Sequence, residues 1–338
     1  MTCGLFTLIK DRLPGGAFRL AALLLPQILP VSSVVAPCDP GAARRNPVLV
    51  QREQATRRLA LVVVLLQIPT NAVRTQNASF SSKTEAVRVD VLVTDKGQPL
   101  LGLVPGDFEV RDNGVPQQVD LVNFDEIPLN VTLALDMSDS VAGERLGRLR
   151  AAAGALLAGL KPKDQAALIT LSHIVQLGAG LTRDLESVRA AVDGAQAVGE
   201  TALVDGVYAG IMVGESDVGR SLLIVFSDGV DTSSWLSPNG VLDIAKRSDV
   251  VVYAVSTRSP LKPAFLRDLT SFTGGQLFEV EKTANLEVIF LRVLEEFRQR
   301  YLLSYTPKGV ASEGWHRLAV RVKRNATVKA RPGYLAGS

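Results

Sequence analysis

Asp136, Ser138 and Ser140 form a D-x-S-x-S string directly behind the apolar run Val131-Thr132-Leu133-Ala134-Leu135. One carboxylate and two hydroxyls therefore leave a single strand end together. Hard oxygen donors of this kind suit Mg²⁺, which prefers a near-octahedral shell, keeps several waters and uses only one or two carboxylates. Given ordinary Asp and Ser frequencies, such a string arises by chance in roughly one chain in ten, so it needs support from elsewhere. Thr201, in Gly199-Glu200-Thr201-Ala202-Leu203, and Asp228, in Phe226-Ser227-Asp228-Gly229-Val230-Asp231, supply it.

The elements that must position these residues alternate between strand and helix from Asn130 onward. The pattern reads strand 130–136, helix 144–160, strand 166–172, a short strand near 174–178, helices 184–197 and 202–213, strand 221–227, helix 239–248, strand 250–256, helix 263–273, strand 276–281 and helix 284–300. Runs such as Leu222-Leu223-Ile224-Val225-Phe226 and Val250-Val251-Val252-Tyr253-Ala254-Val255 are apolar throughout rather than alternating, as expected of a mostly parallel sheet covered on both faces. Ligands of such sheets bind outside the carboxyl ends of the strands, at the point where the winding direction reverses. Asp136 leaves the first strand there, Asp228 leaves the fourth major strand at the same edge, and Thr201 opens the helix between them. Ser138, Ser140 and Thr201 are also residue types that cap helices. Asp231 reads as a surface turn residue rather than a ligand.

On either side of this unit the sequence is β-like. Ala86–Asp95 alternates with period two, a turn follows at Asp95-Lys96-Gly97, and a hairpin is expected from Phe108-Glu109-Val110-Arg111 to Gln118–Phe124 around Asp112-Asn113-Gly114. Three more strands are expected at Tyr301-Leu302-Leu303-Ser304-Tyr305, Trp315–Lys323 and Thr327–Ala330. Neither flank is large enough to stand alone comfortably. The economical arrangement is one β-sandwich, its first half at 85–127 and its second at 301–338, with the α/β domain 128–300 inserted between them.

Residues 1–72 carry eight Lys/Arg against three acids, while the whole chain is +3, which leaves residues 73–338 at −2. The basic charge therefore belongs to a leader and gives no reason to expect nucleic acid. Within it, Arg57-Arg58, the apolar Leu59–Leu66 and Thr70-Asn71-Ala72 have the layout of a secretory signal at about 53–72, followed by a polar linker at 73–84. Its distance from Met1 suggests that translation starts near Val48; an uncleaved anchor is the other reading, and the sole route to membrane association. Both cysteines, Cys3 and Cys38, fall in the leader, so the expected mature chain has no disulfide, thiol nucleophile or cysteine metal site. His173 and His316 lie in or beside expected strands without a plausible catalytic partner and read as structural.

D-x-S-x-S, a threonine in a G-x-T-A-L setting and S-D-G at a strand end together resemble the metal-ion-dependent adhesion site of von Willebrand factor type A domains, with all five positions present. The flanks, including Gly106-Asp107-Phe108-Glu109-Val110 and Ala330-Arg331-Pro332-Gly333-Tyr334, resemble the VWFA-related Acidobacterial domain family over about residues 84–336. The resemblance implies a doubly wound, Rossmann-like α/β domain carrying Mg²⁺, with Mn²⁺ or Ca²⁺ as substitutes. It implies that Ser138 and Ser140 bind directly, that Asp136, Thr201 and Asp228 bind directly or through water, and that a partner's Asp or Glu carboxylate completes the shell. Asp139 and Glu200 stand where the family usually has glycine, which adds negative charge beside the site. The expected function is an exported, periplasmic or extracellular protein-binding module without catalysis. A structural envelope scaffold and a Mg²⁺-dependent phosphohydrolase are the alternatives, the latter weakened by Ser138 standing where a second aspartate would be needed. There is no G-x-S-x-G elbow and no Walker A loop.

Overall fold

The computed structural model describes residues 86–122, 127–215, 218–228, 230–257, 264–281 and 283–337. The leader, the signal-like segment, the linker and both cysteines lie outside them. Five strands come first: β1 (Val87–Asp95), β2 (Gln98–Pro99), β3 (Phe108–Asp112), β4 (Val115–Gln117) and β5 (Asp120–Val122). The alternating unit follows as β6 (Leu129–Asp136), α1 (Glu144–Ala158), β7 (Gln165–Leu171), β8 (Val175–Thr182), α2 (Leu185–Gly194), α3 (Leu203–Gly214), β9 (Arg220–Ser227), α4 (Pro238–Arg247), β10 (Val251–Thr257), α5 (Ala264–Thr273), β11 (Leu277–Val280) and α6 (Leu286–Arg298). The chain ends with β12 (Tyr301–Tyr305), β13 (Gly314–Val322), β14 (Thr327–Lys329) and β15 (Gly333–Ala336).

The central sheet has the order β11-β10-β9-β6-β7-β8, parallel except for the edge strand β8. Every residue of β6 and β9 is buried, which explains the apolar runs Leu133–Leu135 and Leu222–Phe226 within them: helices cover both faces, so no position along the strand meets water. One core layer packs β6 and β9 side chains such as Leu133, Leu135 and Phe226 against α1, α2 and α6. The other packs Ala134, Leu223 and Val225 against α3, α4 and α5. Because β7 lies on one side of β6 and β9 on the other, the winding reverses between β6 and β9. That reversal opens the crevice at their carboxyl ends.

The flanking strands pair with each other across the inserted unit. β1 runs antiparallel to β12, with Val89 opposite Leu303, and β3 runs antiparallel to β13, with Val110 opposite Val320. They form two antiparallel sheets, β14-β1-β12-β5 and β15-β13-β3-β4, whose inward residues, among them Val91, Phe108, Leu303 and Leu318, belong to one apolar cluster. The expected hairpin after β3 differs in register. Asn113 and Gly114 both take positive φ (47° and 85°), forming a two-residue turn that places Val115 directly opposite Asp112. The partner strand is therefore Val115–Gln117, and the later segment Asp120–Val122 crosses to pair with β12. The β15 strand was absent from the sequence-based expectation.

A set of buried arginines joins these sheets to the α/β unit at the edge opposite the crevice. The guanidinium of Arg220, the first residue of β9, pairs with Asp90 of β1 and donates to the Phe297 carbonyl at 3.1 Å. Arg331 donates to the carbonyls of Lys246 and Ser248 at the end of α4, at 2.6 and 3.0 Å. Asn130, a polar residue at the start of a buried strand, is satisfied there too: its Nδ2 donates to the Val218 carbonyl at 2.6 Å. No helix among the described residues is long and apolar enough to cross a membrane.

Candidate metal centre

Asp136 closes β6 and is fully buried. Its Oδ1 accepts from the Ser138 amide at 2.9 Å and its Oδ2 accepts from the Ser227 hydroxyl at 2.9 Å. The second bond follows from the sheet register: Leu135 lies opposite Phe226, so the residues that follow each, Asp136 and Ser227, meet at the edge. Burial holds the Asp136 carboxyl above its ordinary range. The hydrogen bonds from Ser138 and Ser227 oppose that rise, and the negative charge of Asp228 adds to it. Its carboxylate has no cationic side chain as partner among the described residues. A desolvated carboxylate beside a second carboxylate is a site that a cation would relieve.

Ser138 is buried and Ser140 is exposed, yet their hydroxyl oxygens lie 3.0 Å apart, so both point into the same small region. Arg145, in the first turn of α1, donates Nη1 to the Ser140 carbonyl at 3.1 Å, which fixes the far end of this loop. The loop is also tied to its neighbour: the Asp139 amide donates to the Gly199 carbonyl at 2.9 Å, and the Val198 amide donates to the Met137 carbonyl at 2.7 Å. Gly199 has φ +78°, and a Cβ there would stand 2.3 Å from His173 Nδ1. The left-handed conformation there favours glycine, and any larger residue would also have to displace the His173 ring.

Thr201 is buried just before α3. Its amide donates to the Thr232 hydroxyl at 2.9 Å, and its carbonyl accepts from the amides of Thr232 and Ser233 at 2.9 and 3.2 Å. The Thr201 hydroxyl takes no part in these bonds. Asp228 is half-buried beyond β9, and its Oδ1 accepts from the Val230 amide at 3.1 Å. Three loops far apart in sequence are thereby fastened to one another, and Asp136, Ser138, Ser140, Thr201 and Asp228 all belong to them. The donors are oxygens throughout, a set suited to Mg²⁺, Mn²⁺ or Ca²⁺ and ill suited to soft metals. No group of three or more His, Cys, Asp or Glu side chains among the described residues is placed to hold a metal; a cation at this edge would have to rely on hydroxyls as well.

Asp231 has a different role from a ligand. Its Oδ1 accepts from the amides of Leu203 and Val204 at 2.8 and 3.2 Å and from the Ser234 hydroxyl, so it caps α3 from a distant loop. Thr232 and Ser227 likewise support the site, and neither was singled out from sequence. The S-D-G string contains Ser227, but only the register of β9 against β6 reveals that its hydroxyl meets Asp136.

An open, mostly parallel sheet with an oxygen-donor centre at its winding reversal defines a class of α/β domain, and comparison with known proteins identifies it. Residues 130–292 match the family model of the von Willebrand factor type A domain, and this segment of the chain belongs to that family. No curated protein sequence matches the chain. Among solved structures, an aerotolerance-related membrane protein from Bacteroides fragilis NCTC 9343 is 16% identical with a TM-score of 0.43, over 51% of this chain and 99% of that one. A von Willebrand factor type A protein from Catenulispora acidiphila is 12% identical with a TM-score of 0.46, over 72% and 76%. Proximal thread matrix protein 1 from the mussel byssus, solved with a zinc-occupied MIDAS motif, is 16% identical with a TM-score of 0.47, over 54% of this chain and 49% of that one.

Proposed function

We propose that this chain is an exported protein-binding module in which Asp136, Ser138, Ser140, Thr201 and Asp228 hold a divalent cation, Mg²⁺ in the first instance, and a partner's Asp or Glu carboxylate completes the shell. When bound, the cation supplies an electrophilic position for an incoming oxygen. The chain's own residues do the rest. Asp136 offers a carboxylate held in place by Ser138 and Ser227, the paired serine hydroxyls offer neutral donors, and the cross-loop bonds fix their spacing before any ligand arrives. The observation that carries this reading is the fully buried Asp136 carboxylate, without a Lys or Arg partner among the described residues, beside two hydroxyls 3.0 Å apart. Domains of this family are in general non-catalytic interaction modules. Export rests on the signal-like segment at about 53–72, outside the described residues.

Affinity capture from envelope and secreted fractions tests the proposal, using wild type and Asp136→Ala with and without EDTA. Proteins lost on both mutation and chelation support it. Capture that persists through both points to a scaffold whose contacts lie elsewhere, and a phosphatase activity dependent on Asp136 would replace the binding role with a catalytic one.

A further inference from the structure

The loops around the candidate centre also expose large apolar side chains. Ile174, Val198, Trp235 and Leu236 are 48, 53, 75 and 42% exposed, and each lies on a loop at the carboxyl edge of the central sheet. A lone exposed apolar residue needs no explanation, but several gathered around one site mark a contact surface. Their backbones are held in place. The Val198 amide bonds Met137, and the Trp235 and Leu236 amides donate to the Asp205 carboxylate at 3.0 and 2.9 Å. An aromatic side chain on a fixed backbone offers contact area at small entropic cost.

The charges at this edge narrow the partner's chemistry. Asp139 and Glu200 are exposed, sit on adjacent loops joined by the bond from Asp139 to Gly199, and have no ion-pair partner among the described residues. With a divalent cation in place, the four carboxylates of Asp136, Asp139, Glu200 and Asp228 outweigh it even after Arg145 is counted. A bare carboxylate would approach an edge of its own sign. One accompanied by a basic group would not.

We infer that this edge seats a protein segment in which the acidic residue reaching the cation is accompanied, within a few positions, by a Lys or Arg facing Asp139 and Glu200 and by a large apolar side chain resting on the Trp235 and Val198 rim. The inference rests on the cation-binding reading proposed above. It accounts for the two residues that depart from the family's usual glycines: they select against uniformly acidic partners and in favour of mixed-charge ones.

A displayed random-peptide library tests it on the full chain. Peptides are bound in Mg²⁺, released with EDTA and sequenced, for wild type, the Asp139→Asn/Glu200→Gln double variant and Trp235→Ser, each first shown to melt as wild type does in EDTA. Wild type should enrich an acidic residue with nearby Lys/Arg and large apolar residues. The Lys/Arg enrichment should fall about two- to fivefold in the double variant, the size of an exposed ion pair, and the apolar enrichment should fall in Trp235→Ser. EDTA-released peptides that share an acidic residue but neither companion overturn the inference and leave the cation reading standing. Companion preferences unchanged in the variants also overturn it. Failure to recover any EDTA-released peptide contradicts the cation reading itself.

Discussion

Replacing Asp136 by Asn should leave the metal-free protein at least as stable as wild type while removing its stabilisation by Mg²⁺. The reasoning comes from the contacts. Asn keeps an Oδ1 for the Ser138 amide and presents Nδ2 to Ser227, whose hydroxyl can turn from donor to acceptor, so neither hydrogen bond need be lost. What disappears is a charge that burial and Asp228 both disfavour. For wild type, Mg²⁺ at about 100 times its dissociation constant should add about 2.7 kcal/mol through linkage. In a unit of this size each kcal/mol moves the midpoint by roughly 2–4 °C, so a rise of about 5–11 °C is expected. Scanning calorimetry in EDTA and in a Mg²⁺ series reads both quantities on one sample. A variant that still gains those degrees would refute the assignment of Asp136 to the centre. One that melts more than about 5 °C below wild type in EDTA would show that the carboxylate charge is a structural requirement of the loop.

Three further outcomes follow from the surrounding structure. Asp90→Ala strands the Arg220 guanidinium, whose side chain is 1% exposed, and should cost about 3–5 kcal/mol in urea unfolding, whereas Asp90→Leu/Arg220→Met should be neutral or stabilising; similar losses in both would mean that packing, not charge, holds this junction. Asp231→Ala removes the acceptor for two amides of α3 and should destabilise by about 1–2 kcal/mol, weakening Mg²⁺ about tenfold because Thr201 lies two residues ahead of the uncapped turn, as calorimetric titration would read. Burial lowers Lys329 from 10.5 to about 8, with Arg300 and Arg292 adding to the effect and Glu296 opposing it; above pH 8 the folded chain has released a proton that the unfolded chain keeps until about 10.5. Stability relative to Lys329→Met should therefore rise as pH increases from 8 to 9.5, and a fall over that range would reverse the assigned cause.

The parts of this molecule legible in sequence were those governed by local pattern. Unbroken apolar runs at Leu222–Phe226 and Val250–Val255 marked a sheet covered on both faces, and the strand-end positions of Asp136 and Asp228 followed from that alone. What escaped depended on register. The tight turn at Asn113-Gly114 starts its return strand at Val115, three residues earlier than the apolar pattern suggests, because Pro116 and Gln117 do not look like strand residues. Ser227, Thr232 and Asp231 support the centre through partners 91, 31 and about 28 residues away, distances at which no spacing rule operates. The sequence reads His316 as a structural residue. Its Nδ1 meets Asp112 at 2.8 Å and Tyr334 at 3.0 Å, and its Nε2 is buried with no partner among the described residues.

Electron paramagnetic resonance of Mn²⁺ titrated into the purified chain tests the central claim most directly, because free Mn²⁺ gives a sharp signal that binding broadens. The account predicts a single bound Mn²⁺ per chain, displaced by Mg²⁺ and lost in Ser138→Ala/Ser140→Ala. Mn²⁺ that stays free up to about 1 mM, or that the double variant binds as well as wild type, would contradict it.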